Sequence, residues 1–180
     1  MKIKNFSFIL IILIISAAFT SCRQNSDVND LNISAKNGFH VAYSFENDTW
    51  TFPKVGDGID KTIILEGTVP DAEAEYSVNL YMDYWPQMLP IEKLSLDFTT
   101  LSPDKNSSQS TSVFLNFFDT TKVVDLSVEN GKQLKRVEQT VYTAKHFQTT
   151  GLYQFILYSH HPKISLPGIK TLHLVVEKNN

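Results

Sequence analysis

Strict alternation is the feature that most constrains this chain. In several stretches apolar side chains recur at every second residue. Successive residues of an extended strand point to opposite faces, so each stretch offers one apolar face to a core. Phe39, Val41, Tyr43 and Phe45 alternate with His40, Ala42, Ser44 and Glu46. Tyr76, Val78, Leu80, Met82 and Tyr84 alternate with Ser77, Asn79, Tyr81 and Asp83. Leu94, Leu96 and Phe98, then Val113, Leu115 and Phe117, then Leu172, Leu174 and Val176 repeat the pattern. Shorter or less regular strands are predicted over 49–52, 62–66, 122–128, 136–147 and 152–159. Gly, Pro, Asn and Asp punctuate the gaps, as in Gly56-Asp57-Gly58, Pro70-Asp71, Pro103-Asp104 and Pro167-Gly168. Asn130-Gly131 predicts a tight hairpin, because both residues accept positive φ. The Ser-rich stretch 104–111 reads as a mobile loop. No segment has the period of a long amphipathic helix, and only 71–75 and 119–121 read as single helical turns. The pattern predicts an all-β fold, an antiparallel two-sheet β-sandwich of jelly-roll-like type, with an open barrel as the alternative.

The amino-terminal segment sets the expected compartment. Lys2 and Lys4 precede a nearly continuous apolar run over 6–19, followed by small residues. This is the layout of a secretory signal, and the run is short for a bilayer span. Phe19-Thr20-Ser21-Cys22 resembles the bacterial lipobox, in which the cysteine thiol takes a diacylglycerol and the residues before it are removed. The expected organisation is a signal peptide over 1–21, a lipidated Cys22 with a polar tether over 22–37, and a single domain over 38–180. Cys22 is the single cysteine of the chain, so the fold is expected to rest on its core without a disulfide. Arg23, where an acidic residue would favour inner-membrane retention, points to the outer membrane and leaves its face open. Lys and Arg number 16 against 19 Asp and Glu, for a net charge of −3, which gives no footprint for nucleic acid.

The search for chemistry returns little. The histidines are His40, His146, His160, His161 and His173, and none forms a His-Glu-x-x-His run. Adjacent His160 and His161 would point to opposite faces of a strand. No Gly-x-Ser-x-Gly elbow or phosphate-cradling glycine loop is present. Asp83 and Glu92 flank an aromatic turn and are the first candidates for paired carboxylates. Aromatic residues make up 12% of the chain, and most fall on inward faces. Trp50, Tyr81, Tyr84 and Trp85 are the candidates for a surface that contacts a partner or a glycan, with core cover the ordinary reading of the two tryptophans. Asp119-Thr120-Thr121 resembles a short O-glycosylation acceptor motif of Bacteroidetes.

The carboxy-terminal third carries a resemblance. Gly151-Leu152-Tyr153-Gln154-Phe155-Ile156 is followed by Leu166-Pro167-Gly168-Ile169 and by a closing strand from Thr171 to Lys178. This order is similar to that of the gliding-motility lipoproteins of the GldH family of Bacteroidetes. The middle departs from that family: Leu115-Asn116-Phe117-Phe118-Asp119 and Asn130-Gly131-Lys132 stand where a tryptophan- and glycine-rich stretch is usual. The resemblance implies architecture and supplies no catalytic residue.

The expectation is therefore a non-enzymatic, outer-membrane lipoprotein without cofactor or metal, an accessory component of an envelope complex. Its partners are expected to be the membrane, through the lipid, and an envelope protein, with no nucleic acid. The alternative is a glycan-binding lipoprotein of a polysaccharide-capture system. A hydrolase with dispersed catalytic residues is the third reading.

Overall fold

The computed structural model describes residues 38–179. The expected signal segment, Cys22 and the tether lie outside them. Among the described residues no helix is long and apolar enough to cross a membrane.

The domain is an all-β sandwich of antiparallel sheets. One sheet has the order β1-β13-β6-β10-β9, formed by β1 (Phe39–Ser44), β6 (Glu75–Tyr84), β9 (Val123–Glu129), β10 (Lys132–His146) and β13 (Ile169–Lys178). The other has the order β5-β11-β7-β8, formed by β5 (Thr62–Val69), β7 (Lys93–Leu101), β8 (Ser108–Asn116) and β11 (Gly151–Ser159). Two small ribbons flank them: β2 (Thr49–Thr51) with β12 (Ser165–Pro167), and β3 (Lys54–Val55) with β4 (Gly58–Ile59).

The alternation seen in the sequence becomes the core. Val78, Leu80 and Met82 of β6 face Leu94, Leu96, Phe98, Phe155 and Leu157 in one buried cluster. Aromatic rings stitch the two sheets together. Phe39 of β1 meets Phe155 of β11 at 5.5 Å between centroids, and Phe98 of β7 meets Tyr142 of β10 at 6.3 Å. Such pairs add about 0.5–1.5 kcal/mol each beyond the area they bury.

Local departures from expectation have local causes. The stretch 104–111 is loop only at its start, because Ser108–Thr111 pair with Phe98–Leu101 as the first half of β8. β10 is irregular in sequence because its pairing with β6 shifts register at Thr140/Tyr142 and again at Tyr142/Lys145. The predicted helical turns do not form. Residues 72–74 are bends leading into β6, and 119–121 is a turn closed by Asp119 Oδ1, which accepts from Thr121 N–H and Oγ1–H. Among the described residues one short 3-10 turn is present, over Glu46–Asp48. The Asn130-Gly131 hairpin has φ of 50° and 74° and joins β9 to β10. Gly168, directly after Pro167, has φ 86°, the left-handed region that glycine enters without steric cost. A Cβ there would lie 2.7 Å from Leu89 N, so close packing also requires glycine.

Candidate functional site

The expected aromatic surface does not form. Trp50, Tyr84 and Trp85 are 3%, 2% and 5% exposed, which leaves no ring face open for stacking. Trp50 lies between Phe45 and Phe52, each at 5.3 Å. Tyr84 donates to the Phe117 carbonyl at 2.8 Å, and burial pushes its pKa up to about 12. Trp85 Nε1 donates to Asp48 Oδ2 at 2.9 Å while Lys170 sits over its ring. Tyr81 alone of the four is half-buried on the face turned from the core, with its hydroxyl on Glu138 at 3.2 Å. The physical reason is that strand ends and short ribbons here fold over the core rim, and large rings fill it.

The outward face of the five-stranded sheet instead carries a buried ionic cluster. Asp83 of β6 and Arg136 of β10 are direct cross-strand partners. Arg136 Nε and Nη2 grip both carboxylate oxygens, at 2.6 and 2.7 Å. His173 of β13, fully buried, lies 3.2 Å from Asp83 Oδ2 through Nε2. Its Nδ1 lies 3.2 Å from His40 Nε2 on β1. Four strands are thus tied by one chain of polar contacts. Burial alone would raise the Asp83 pKa, but the hydrogen bonds and charges of His173 and Arg136 hold it below the ordinary carboxylate value. Burial, with His173 and Arg136 nearby, lowers that of His40. Both carboxylate oxygens of Asp83 are committed in this way. Glu92, the other suspected carboxylate, is exposed.

The remaining histidines are dispersed. His160 pairs with Asp97 at 2.9 Å and His146 with Glu75 at 3.6 Å. His160 and His161 lie just past the end of β11, the first exposed and the second buried. Among the described residues no three His, Cys, Asp or Glu side chains gather as a metal site.

The geometry best suited to contact is at the far edge of the same sheet. Among the described residues β9 has a strand partner on one side only, β10. Val124, Leu126 and Val128, at alternate positions along it, are 55%, 38% and 71% exposed. Asp125, Glu129 and a register shift against Leu134/Lys135 blunt this edge in part, and the three aliphatic side chains stay open between them. Beside it, Phe118 is 70% exposed. It helps line a cavity of about 310 Å³ with Phe117, Thr120, Val123, Asp125 and Lys135. A smaller one of about 90 Å³ adjoins it, reaching Tyr84, Pro86, Leu89 and Ile91. Sequence reading missed this site, although the signal was present in the valines of 123–128. Thr120, in the suspected acceptor motif, is exposed at the same end.

The residues of the carboxy-terminal motif are fold residues. Tyr153 and Phe155 point into the core from β11, and Leu166 and Ile169 are fully buried on either side of the Pro167-Gly168 turn. Compared with family models and with curated proteins, the chain finds no match. What the fold and edge define is a class: an antiparallel β-sandwich with an open strand edge that exposes three aliphatic side chains.

Proposed function

We propose that this chain is an outer-membrane lipoprotein, anchored by acyl chains on Cys22, that serves as a non-catalytic accessory component of an envelope complex. In this reading it is a divergent relative of the GldH gliding-motility lipoproteins, which the carboxy-terminal motif supports. The observation that carries the contact role is the β9 edge. A free strand edge offers main-chain N–H and C=O groups to an added strand, and neighbouring pockets take its side chains. β9 has both, with the Phe118 cavities at its start. The partner is therefore a protein that supplies an extended apolar segment. Acyl chains contribute about 0.8 kcal/mol per buried methylene, enough for several together to hold the domain near such a partner.

The test is affinity purification of the full chain from detergent-solubilised envelopes, alongside a Val124→Lys/Val128→Lys variant. The expected result is one enriched envelope protein, lost in the variant. Equal recovery from both proteins would sink the edge reading. Mass spectrometry of residue 22 tests the anchor separately, and an unmodified thiol there would remove it.

A further inference from the structure

The turn between β8 and β9 carries an Asp-Thr-Thr run that the contact role leaves unused. The chain has two Asp-Thr pairs, Asp48-Thr49 and Asp119-Thr120, and the fold treats them oppositely. Thr49 is half-buried, pairs with Pro167 in the β2–β12 ribbon, and donates its hydroxyl to Asn47 O at 3.0 Å. The residue after it, Trp50, is in the core. Asp119 instead opens a β-turn, in which Lys122 N–H donates to Asp119 O at 2.9 Å. Thr120 and Thr121 are the corner residues of that turn, and both are exposed.

The turn is held at both ends and distinguishes its two hydroxyls. Phe117 N–H donates to Glu92 O, and Glu138 N–H to Lys122 O. Asp119 Oδ1 accepts from Thr121 N–H and, at 2.6 Å, from the Thr121 hydroxyl. Thr121 Oγ1 is thus occupied, while Thr120 Oγ1 has no partner among the described residues. Thr120 also lines the cavity of about 310 Å³, with the exposed Phe118 ring among its walls. Such a ring offers a face to the apolar side of a sugar. Asp119 and Asp125 stand nearby, and the hydrogen bonds from Thr121 hold the Asp119 carboxyl below its ordinary range. A phosphate added to Thr120 would meet like charge there. A sugar is uncharged, and its hydroxyls can donate to those carboxylates.

We propose that Thr120 is an O-glycosylation site, its Oγ1 carrying a glycan whose first sugar lies against Phe118. The proposal rests on export of the chain, and the resemblance of Asp119-Thr120-Thr121 to an acceptor motif agrees with it. The donor is a glycan linked to a lipid diphosphate, used by a membrane-bound transferase. A bond forms between Thr120 Oγ1 and the anomeric carbon. The bond from that carbon to the phosphate oxygen breaks, the lipid diphosphate leaves, and the hydroxyl proton passes to a base of the transferase. Thr120 precedes β9, so the glycan leaves the edge from Val124 to Val128 open.

The experiment is peptide mass spectrometry on the full chain isolated from its native envelopes. The Thr120 peptide is expected to carry the mass of one or more sugar residues, placed on Thr120 by electron-transfer fragmentation. Thr120→Ala should remove the glycan, and Thr120→Ser and Thr49→Ala should keep it. The melting temperature of Thr120→Ala should match that of an unglycosylated parent, since the residue is an exposed turn position. The peptide carrying residue 22 reads the anchor in the same sample. A glycan on Thr120 without acyl chains on Cys22 keeps this proposal and removes the anchor. Acylated Cys22 beside a bare Thr120 overturns the glycan alone, and bare residues at both positions overturn both readings. A phosphate on Thr120, or a glycan on Thr121 that survives Thr120→Ala, would also overturn the proposal.

Discussion

The ring of Phe39 occupies the space that a side chain at Gly67 would need. A Cβ built on Gly67 falls well inside contact distance of three Phe39 ring carbons. Gly67 takes an inward position of β5, between Leu65 and Val69, and the ring it admits reaches Phe155 across the sandwich. One missing side chain thus lets an edge strand of each sheet close on the other. Gly67→Ala should therefore destabilise the domain by about 1–3 kcal/mol, the usual cost of overpacking. Chemical denaturation checks it. A midpoint equal to that of the parent protein would show that the ring moves aside freely.

The Asp83–Arg136 pair should behave as a buried ion pair and not as a surface one. Both residues are under 10% exposed, and both hydrogen bonds are short. Arg136→Met leaves a carboxylate buried without its main partner and should cost about 3–5 kcal/mol. Arg136→Lys should recover only part of this, since an ammonium cannot grip both oxygens in a planar fork. The double variant Asp83→Leu/Arg136→Met should be more stable than Arg136→Met alone, because nothing charged remains to be stranded. A double-mutant cycle by urea denaturation measures the coupling, and additivity would contradict the pairing.

Acid should weaken the fold in two stages. Burial first, then nearby positive groups, lowers the pKa of His40, and the same holds for His161 beside Lys163 and Lys61. A histidine with a lowered folded pKa takes up its proton more readily in the unfolded chain. Its contribution is therefore complete above the ordinary value of 6.5 and is lost as pH falls through the folded pKa. Asp83, also lowered, adds a second loss below its ordinary 3.8. The melting temperature should drop as pH falls below about 6.5, and drop again below about pH 4. His40→Gln should shrink the first stage to the part that His161 contributes and leave the second. An unchanged first stage in that variant would assign it elsewhere.

Much of the sandwich was legible in the sequence because its central strands keep period two over their full length. β7 buries every second residue, and β6 does the same on its core face, although Asn79 and Asp83 on its other face are buried as well. Legibility ended where burial depends on partners distant in sequence. His173 lies on the nominally outward face of β13, and it is fully buried because His40 and Asp83 come to it from other strands. β12 was masked by its own turn signal, since Pro167 both pairs with Thr49 and begins the bend. Trp50 and Trp85 sit in a three-residue ribbon and at a strand end. Neither setting has enough alternation to say which way a ring points.

Trp85 also ties three connections together. Its indole N–H reaches Asp48 in the turn after β1, its backbone N–H donates to Gly168 O, and Gly168 N–H donates to Asp48 O. Trp85→Phe keeps most of the apolar bulk and deletes one charge-assisted hydrogen bond. Asp48 stays partly exposed, so water can replace the indole, and the expected cost is about 1 kcal/mol. Asp48→Ala should cost a similar amount, and the two losses should not add. Additive losses in denaturant midpoints would mean that the indole and carboxylate act separately.

The β9 edge makes a final distinction testable, between residues that hold the fold and residues that serve contact. Val124 and Val128 are more than half exposed, so each removes little apolar area from water. Val124→Lys/Val128→Lys should leave the melting transition nearly unchanged, within about 0.5 kcal/mol per site, as for surface substitutions away from special features. An apolar open edge is also a template for pairing with other copies. The same variant should therefore lower concentration-dependent self-association, read by light scattering of the detergent-solubilised chain. If the lysines instead unfold the domain, then β9 supports the core, and the edge was never free to bind.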